Sequence, residues 1–245
     1  MKPLLIFMFF TISCTSIKFT GNHSIKIDKN IPNNAATDSF IRPYKQKLAE
    51  QMDKPIGYLD TSYTKNKPNG NLNNLVADLI YDYTLRYMDD ISNYAGLSPI
   101  PLSFCVLNYG GLRASLPADT IKVRNIYELS PFENNLVILQ LNPSGLDSLI
   151  KYILQRNTDP LSGLNINSLG HYTFVNSSNT DTRRPIYFVT NDYMANGGDG
   201  FTMLLYPQKR IDINVNMRTA LISQFEWEYN KIGKIRPRTT DVFTN

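Results

Sequence analysis

Asn108-Tyr109-Gly110-Gly111-Leu112-Arg113 follows the apolar run from Leu102 to Leu107, and Asn191-Asp192-Tyr193-Met194-Ala195-Asn196-Gly197-Gly198-Asp199-Gly200 follows a second run from Ile186 to Thr190. Each reads as a buried strand feeding a glycine-rich turn. Glycine has no Cβ, so the chain can bend sharply there and a ligand can approach the main chain closely. The first turn offers an Asn and an Arg, the second a Tyr and an Asp. Together they suit a polar, aromatic ligand.

Further strands and helices surround these turns. Phe40, Ile41, Tyr44, Leu48 and Met52 recur at helical spacing and predict an amphipathic helix over 39–53, which tolerates Pro43 only in its first turn. A strand is expected over 56–64. Leu72, Leu75, Val76, Leu79, Ile80, Tyr83 and Tyr87 mark a second helix, with Asn71 or Asn73 as its cap. A short helical turn over 126–129 and a strand over 136–141 come next. Asn142-Pro143 then caps a helix bearing Leu146, Leu149, Ile150, Ile153 and Leu154 on one face. Strands are expected over 172–175 and 201–206, a closing helix over 215–229, and a loose tail around Pro237. Strands and helices mix without regular alternation, so the expected class is α+β, a mixed β-sheet with packed helices, rather than a doubly wound fold.

The 245 residues can bury a real core in one domain. Net charge is +4, but the 25 Lys and Arg residues are scattered. No basic stripe with interleaved aromatics is present, which argues against nucleic-acid binding. The N-terminus carries Lys2 and an apolar stretch over 3–12. That stretch is too short for a bilayer span of about twenty residues, and fits the hydrophobic region of a secretory signal.

Thr11-Ile12-Ser13-Cys14 resembles a bacterial lipoprotein cleavage site, with Thr11 where Leu is usual. It implies a signal peptide over 1–13, a lipidated Cys14, a polar tether over 14–37, a domain over 38–235 and a tail over 236–245. The chain would then cross the inner membrane and stay lipid-anchored in a bacterial cell envelope, periplasmic or outer-membrane. Simple secretion is the alternative. Cys105, in an apolar run, is expected to be an inert core thiol.

Asn108 to Arg113, then Ser130-Pro131-Phe132-Glu133-Asn134, then Tyr193 to Gly200 resemble, in order and spacing, the C-terminal domain of the 5'-nucleotidase / UDP-sugar hydrolase family. The likeness covers roughly 40–235. It implies a domain that binds the nucleotide while a separate metallophosphatase domain holds two metal ions and cleaves the phosphate. On that resemblance Phe132 and Tyr193 sandwich the base, Asp199 accepts from the ribose hydroxyls, Arg113 faces phosphate, and Asn108 bonds nearby beside Gly197 and Gly198. Each has a plainer reading: Phe132 and Tyr193 as core fillers, Asp199, Arg113 and Asn108 as turn residues. Asn69 and Asn73 depart from a common family Glu and Gly, and Lys67 is the only stand-in for a second phosphate-binding cation. The base-edge glycine would fall around 168–170.

Two segments resemble metal motifs. Gly21-Asn22-His23-Ser24 lacks the acid and any upstream strand, and Gly170-His171-Tyr172-Thr173 lacks the second His. A dinuclear centre needs several His and carboxylate ligands around ions about 3.5–4 Å apart. Two histidines in the whole chain cannot supply that set, so no metal site and no catalytic residue is expected. The expected function is substrate binding, of a nucleotide or nucleoside, for a 5'-nucleotidase-type hydrolase in nucleotide catabolism. It would act with a separate metallophosphatase chain that carries the divalent metals. The alternatives are a non-catalytic nucleoside- or nucleotide-binding lipoprotein of the envelope, and a fold retained after binding was lost.

Overall fold

A computed structural model describes residues 28, 31–94, 96, 100–175, 186–236 and 242–244. The expected signal peptide, Cys14 and the Gly21–Ser24 segment lie outside the described residues. The chain divides into two units, Met1–Lys45 and Gln46–Asn245. In chain order the elements are α1 (Ala35–Met52), β1 (Pro55–Tyr58), α2 (Asn71–Arg86), α3 (Met88–Tyr94), β2 (Leu102–Val106), β3 (Thr120–Lys122), α4 (Val123–Leu129), β4 (Asn135–Leu141) and α5 (Pro143–Arg156). Then come β5 (Leu161–Ser162), β6 (Leu164–Asn167), β7 (Tyr172–Phe174), β8 (Ile186–Asn191), α6 (Asp192–Ala195), β9 (Lys209–Asn216), α7 (Met217–Ile232) and β10 (Phe243–Thr244).

The central sheet has strand order β5-β2-β8-β4-β9. Only β2 and β8 run parallel; β5, β4 and β9 pair antiparallel with their neighbours. The class is therefore α+β with a mixed sheet. Helices cover both faces, which is why β2, β4 and β8 read as continuous apolar runs. The period-2 alternation divides them: Leu136 and Ile138 join the core under α2 and α7, while Val137, Leu139 and Leu141 join the core under α5. Phe104 and Phe188, on the two parallel strands, stack at 4.8 Å in the α5-side core. Asn142 caps α5, its Oδ1 accepting the Gly145 N–H at 2.7 Å. The parallel pair matters most, since both glycine-rich turns leave the same end of neighbouring strands.

Several expectations are corrected. α1 begins at Ala35, because Asn34 accepts the Thr37 N–H. Pro43 therefore lies in the helix interior, and the helix buries none of its residues, with Phe40, Tyr44 and Leu48 exposed. An exposed helix tolerates the missing bond because water can satisfy the orphaned carbonyl. The strand over 56–64 shortens to β1, with Tyr63 making an isolated bridge to Leu116. The cap of α2 is Gly70, with no side-chain bond. Asn71 instead accepts from the Thr64 N–H, and buried Asn73 donates to the Asn66 and Thr158 carbonyls, so both tie down neighbouring loops.

The strand expected over 201–206 is a 3-10 turn, Thr202–Leu204. Phe201 and Leu204, three residues apart, both point into the core, as one such turn allows. β9 was not expected: it is an edge strand whose polar residues hide the pattern. Nor is the tail loose at its end. β10 pairs parallel with β6, and Asn69 both accepts from the Phe243 N–H at 3.1 Å and donates to its carbonyl at 2.8 Å.

Candidate functional site

Beyond β2, Asn108 enters a single 3-10 turn, Tyr109–Gly111. A Cβ on Gly111 would lie 2.9 Å from Asn108 Oδ1, so the turn closes only over a glycine. Asn108 Oδ1 accepts from Asn191 Nδ2 at 2.9 Å, which joins the two glycine-rich turns at their roots. Asn108 thus offers its NH2 group as a donor. Asn191, the last residue of β8, also caps α6 by accepting the Met194 N–H at 2.9 Å.

After α6 the chain turns through Gly197, at φ 82°, and Asp199, at φ 52° and ψ 22°. A left-handed non-glycine residue costs roughly 1–2 kcal/mol unless local bonds offset it. Asp199 has them. Tyr193 Oη donates to its Oδ1 at 2.8 Å and accepts its N–H at 3.1 Å. Ionising Tyr193 would break the bond to Asp199, so its pKa is raised above the ordinary value. The ring lies directly over Gly198, where a Cβ would come within 2.6 Å of it. Gly198 is therefore the floor under Tyr193. Gly197 supplies the positive φ, its missing Cβ facing Leu205.

The third piece is the loop between α4 and β4. Buried Arg218, on α7, donates to the Ser130 carbonyl at 3.3 Å and the Phe132 carbonyl at 3.1 Å, and pairs with Glu133. Its guanidinium lies 4.6 Å from the centre of the Tyr127 ring. The backbone under Phe132 is thereby fixed while the ring itself stays 45% exposed.

These three segments enclose a cleft of about 300 Å³ lined by Asn108, Gly110, Arg113, Phe132, Asn134, Tyr193 and Asp199. That volume suits a small ligand. Two half-exposed rings, 45% for Phe132 and 42% for Tyr193, keep apolar surface available to it. Beside Arg113, Lys65 donates to the Leu112 carbonyl at 2.8 Å and sits 3.8 Å over the Tyr109 ring, with Lys67 at 5.2 Å. Burial, then the charges of Arg113 and Lys67, pushes the Lys65 pKa down. Among the described residues none of these three cations has an ion-pair partner, which leaves their charge available to an anion.

Of the residues named from sequence, Asn108, Arg113, Phe132, Tyr193 and Asp199 line one cleft, and Gly197 and Gly198 shape its turn without lining it. Lys65, Arg156, Asp159 and Arg218 escaped notice, since none sits in a motif and each gains meaning only from partners the fold brings to it. Asn134 and Asn191 stand inside the quoted stretches, but their roles in the cleft and at the root of the turns emerge only in the fold. Residues 168–170 lie in the β6–β7 turn and do not line the cleft. Cys105 is a buried free thiol whose pKa desolvation pushes well above the ordinary value. Among the described residues, no three His, Cys, Asp or Glu side chains group as a metal site.

A family model described as "5'-nucleotidase, C-terminal domain" matches residues 51–184. The 5'-nucleotidase of Homo sapiens is 24% identical over 248 residues, an alignment covering 86% of this chain and 42% of that protein. The Mus musculus 5'-nucleotidase is likewise 24% identical over 247 residues, covering 86% and 42%. The chain thus spans less than half the length of these relatives. In fold it is similar to the 5'-nucleotidase precursor of Thermus thermophilus, with a TM-score of 0.63, 22% identity, and coverage of 87% of this chain and 43% of that one.

Proposed function

The chain belongs to the 5'-nucleotidase C-terminal domain family, and from that premise we propose that its cleft holds a nucleoside or nucleotide for a hydrolase of the 5'-nucleotidase type. The carrying observation is one cleft that combines two half-exposed rings, one carboxylate and, among the described residues, an unpaired cationic rim. Phe132 and Tyr193 stack on the base, each contributing about 1–3 kcal/mol with little regard to which base it is. Asp199 accepts from the sugar hydroxyls, a charge-assisted bond stronger than a neutral one. Arg113 faces the phosphate, where its planar fork suits two oxygens. Lys65 and Lys67 add charge beside it.

The cleft has one carboxylate and no imidazole among its lining residues. That donor set does not fit a dinuclear metal centre, so we derive no bond-breaking step from this chain. We assign the divalent metals and the attacking water to a separate metallophosphatase chain, which this domain would supply with an oriented nucleotide in nucleotide catabolism. We further propose secretion, lipidation at Cys14 and anchoring in the cell envelope, on the strength of the short apolar N-terminal stretch and Thr11-Ile12-Ser13-Cys14.

Phosphate release from nucleoside monophosphates is the test, measured with this chain alone, a candidate metallophosphatase alone, and both. Stimulation only in the mixture supports the proposal. Full metal-dependent activity in this chain alone would sink it, and nucleotide binding without any stimulation would favour a non-catalytic binding lipoprotein.

A further inference from the structure

Arg156, the last residue of α5, is not part of the cleft lining, yet it reaches both of its glycine-rich turns, one directly at Asp199 and the other through Asp159. Its Nε donates to Asp159 Oδ2 at 2.7 Å and its Nη2 to Asp159 Oδ1 at 3.1 Å, a two-pronged pair. Asp159 is fully buried, and the same Oδ1 accepts the Tyr109 N–H at 3.2 Å. From its other side Arg156 donates through Nη1 to the Asp199 carbonyl at 3.2 Å and through Nη2 to Asp199 Oδ2 at 3.3 Å. Tyr152, one turn earlier on α5, also donates to the Asp199 carbonyl, at 2.7 Å. A Cβ on neighbouring Gly200 would fall 2.3 Å from Tyr152 Oη, so the turn is seated directly on α5.

One guanidinium, acting through the Asp159 carboxylate on one side, therefore ties the turn that carries Asn108 and Arg113 to the turn that carries Asp199. Arginine alone does this well, because its fixed fork can serve Asp159 with one edge and Asp199 with the other. Neutralising Asp159 would not require contact with Asp199 at two atoms, the carbonyl and the carboxylate.

We infer that Arg156 is a positioning residue for sugar recognition: it aims the Asp199 carboxylate and locks the two glycine-rich turns in register. The inference rests on the cleft being a nucleoside site. Arg156 would contribute nothing to base stacking, which belongs to Phe132 and Tyr193. It would act only on ligands whose sugar carries the vicinal hydroxyls that Asp199 accepts.

The experiment uses the full chain with Arg156→Lys, and with the double variant Arg156→Met/Asp159→Asn, which leaves no buried charge unpaired. Affinities for adenosine and 2',3'-dideoxyadenosine are measured by calorimetry, and amide exchange is followed by mass spectrometry over 197–201 and 130–134. Both variants are expected to lose about tenfold in adenosine affinity, the scale of one charge-assisted hydrogen bond, with dideoxyadenosine unchanged. Exchange should speed up over 197–201 and stay unaltered over 130–134. Equal losses for both ligands, or no loss, would overturn the inference, as would unchanged exchange over 197–201. A native chain that binds neither nucleoside would instead overturn the nucleoside-site reading, and the exchange data would still decide whether Arg156 locks the two turns.

Discussion

The two aromatic walls of the cleft are held by opposite means. Phe132 rides on a loop whose main-chain carbonyls are gripped by Arg218, so the clamp is indifferent to the ring it presents. Tyr193 is itself part of the clamp: its hydroxyl bonds both the side chain and the N–H of Asp199, and Arg156 holds Asp199 from the far side. The first wall separates support from recognition, and the second fuses them. Substitutions should accordingly give simple losses on the Phe132 side and coupled losses on the Tyr193 side.

The largest effect is expected where support alone is removed. Arg218→Met leaves the Ser130 and Phe132 carbonyls without their buried donor and should cost about 2–3 kcal/mol of stability in urea denaturation. Glu133→Gln, at the exposed end of the same pair, should cost well under 1 kcal/mol, or about what surface ion pairs contribute.

Next comes the asymmetry in binding. Tyr193→Ala removes a stacking ring and the partner of Asp199 together, and should lower adenosine affinity about a hundredfold; Phe132→Ala, which removes stacking alone, should lower it about tenfold. Equal losses measured by calorimetry would mean that the two walls do not differ as the geometry says.

Tyr193→Phe refines the same contrast. It keeps the ring and should cost only about three- to tenfold in adenosine affinity, the scale of one hydrogen bond. The raised pKa of Tyr193 adds a second readout. A group with a raised folded-state pKa contributes stability below its unfolded value and loses it as pH rises through the folded one. In an alkaline ultraviolet titration, Tyr193→Phe should therefore remove one tyrosine that ionises above the ordinary range.

The smallest effect concerns the cationic rim. Lys65 is pushed below the ordinary lysine range by burial and by Arg113 and Lys67, so it loses charge at lower pH than a free lysine. Affinity for AMP should fall as pH rises through that range while adenosine affinity holds steady. Lys65→Met should flatten the AMP profile.

The sequence revealed β2, β4 and β8 because a sheet covered on both faces writes unbroken apolar runs, and the glycine-rich turns because Gly111 and Gly198 leave no room for a Cβ. It concealed β9, whose edge position lets polar residues alternate without a core pattern. The supports were hidden for another reason. Arg218 meets Phe132 and Arg156 meets Asp199 only after the chain has folded back, and a lone arginine on a helix looks like any solvated charge. Asn71 and Asn73 misled in the reverse sense: their type suits a helix cap, but nearby loops claim both side chains.

Titration calorimetry of AMP against the native chain and against Phe132→Ala/Tyr193→Ala would decide whether the two walls form a nucleotide clamp. Heat of binding from the native chain that disappears in the double variant, with both proteins folded by circular dichroism, is the expected result. Equal affinity in the two proteins would contradict it.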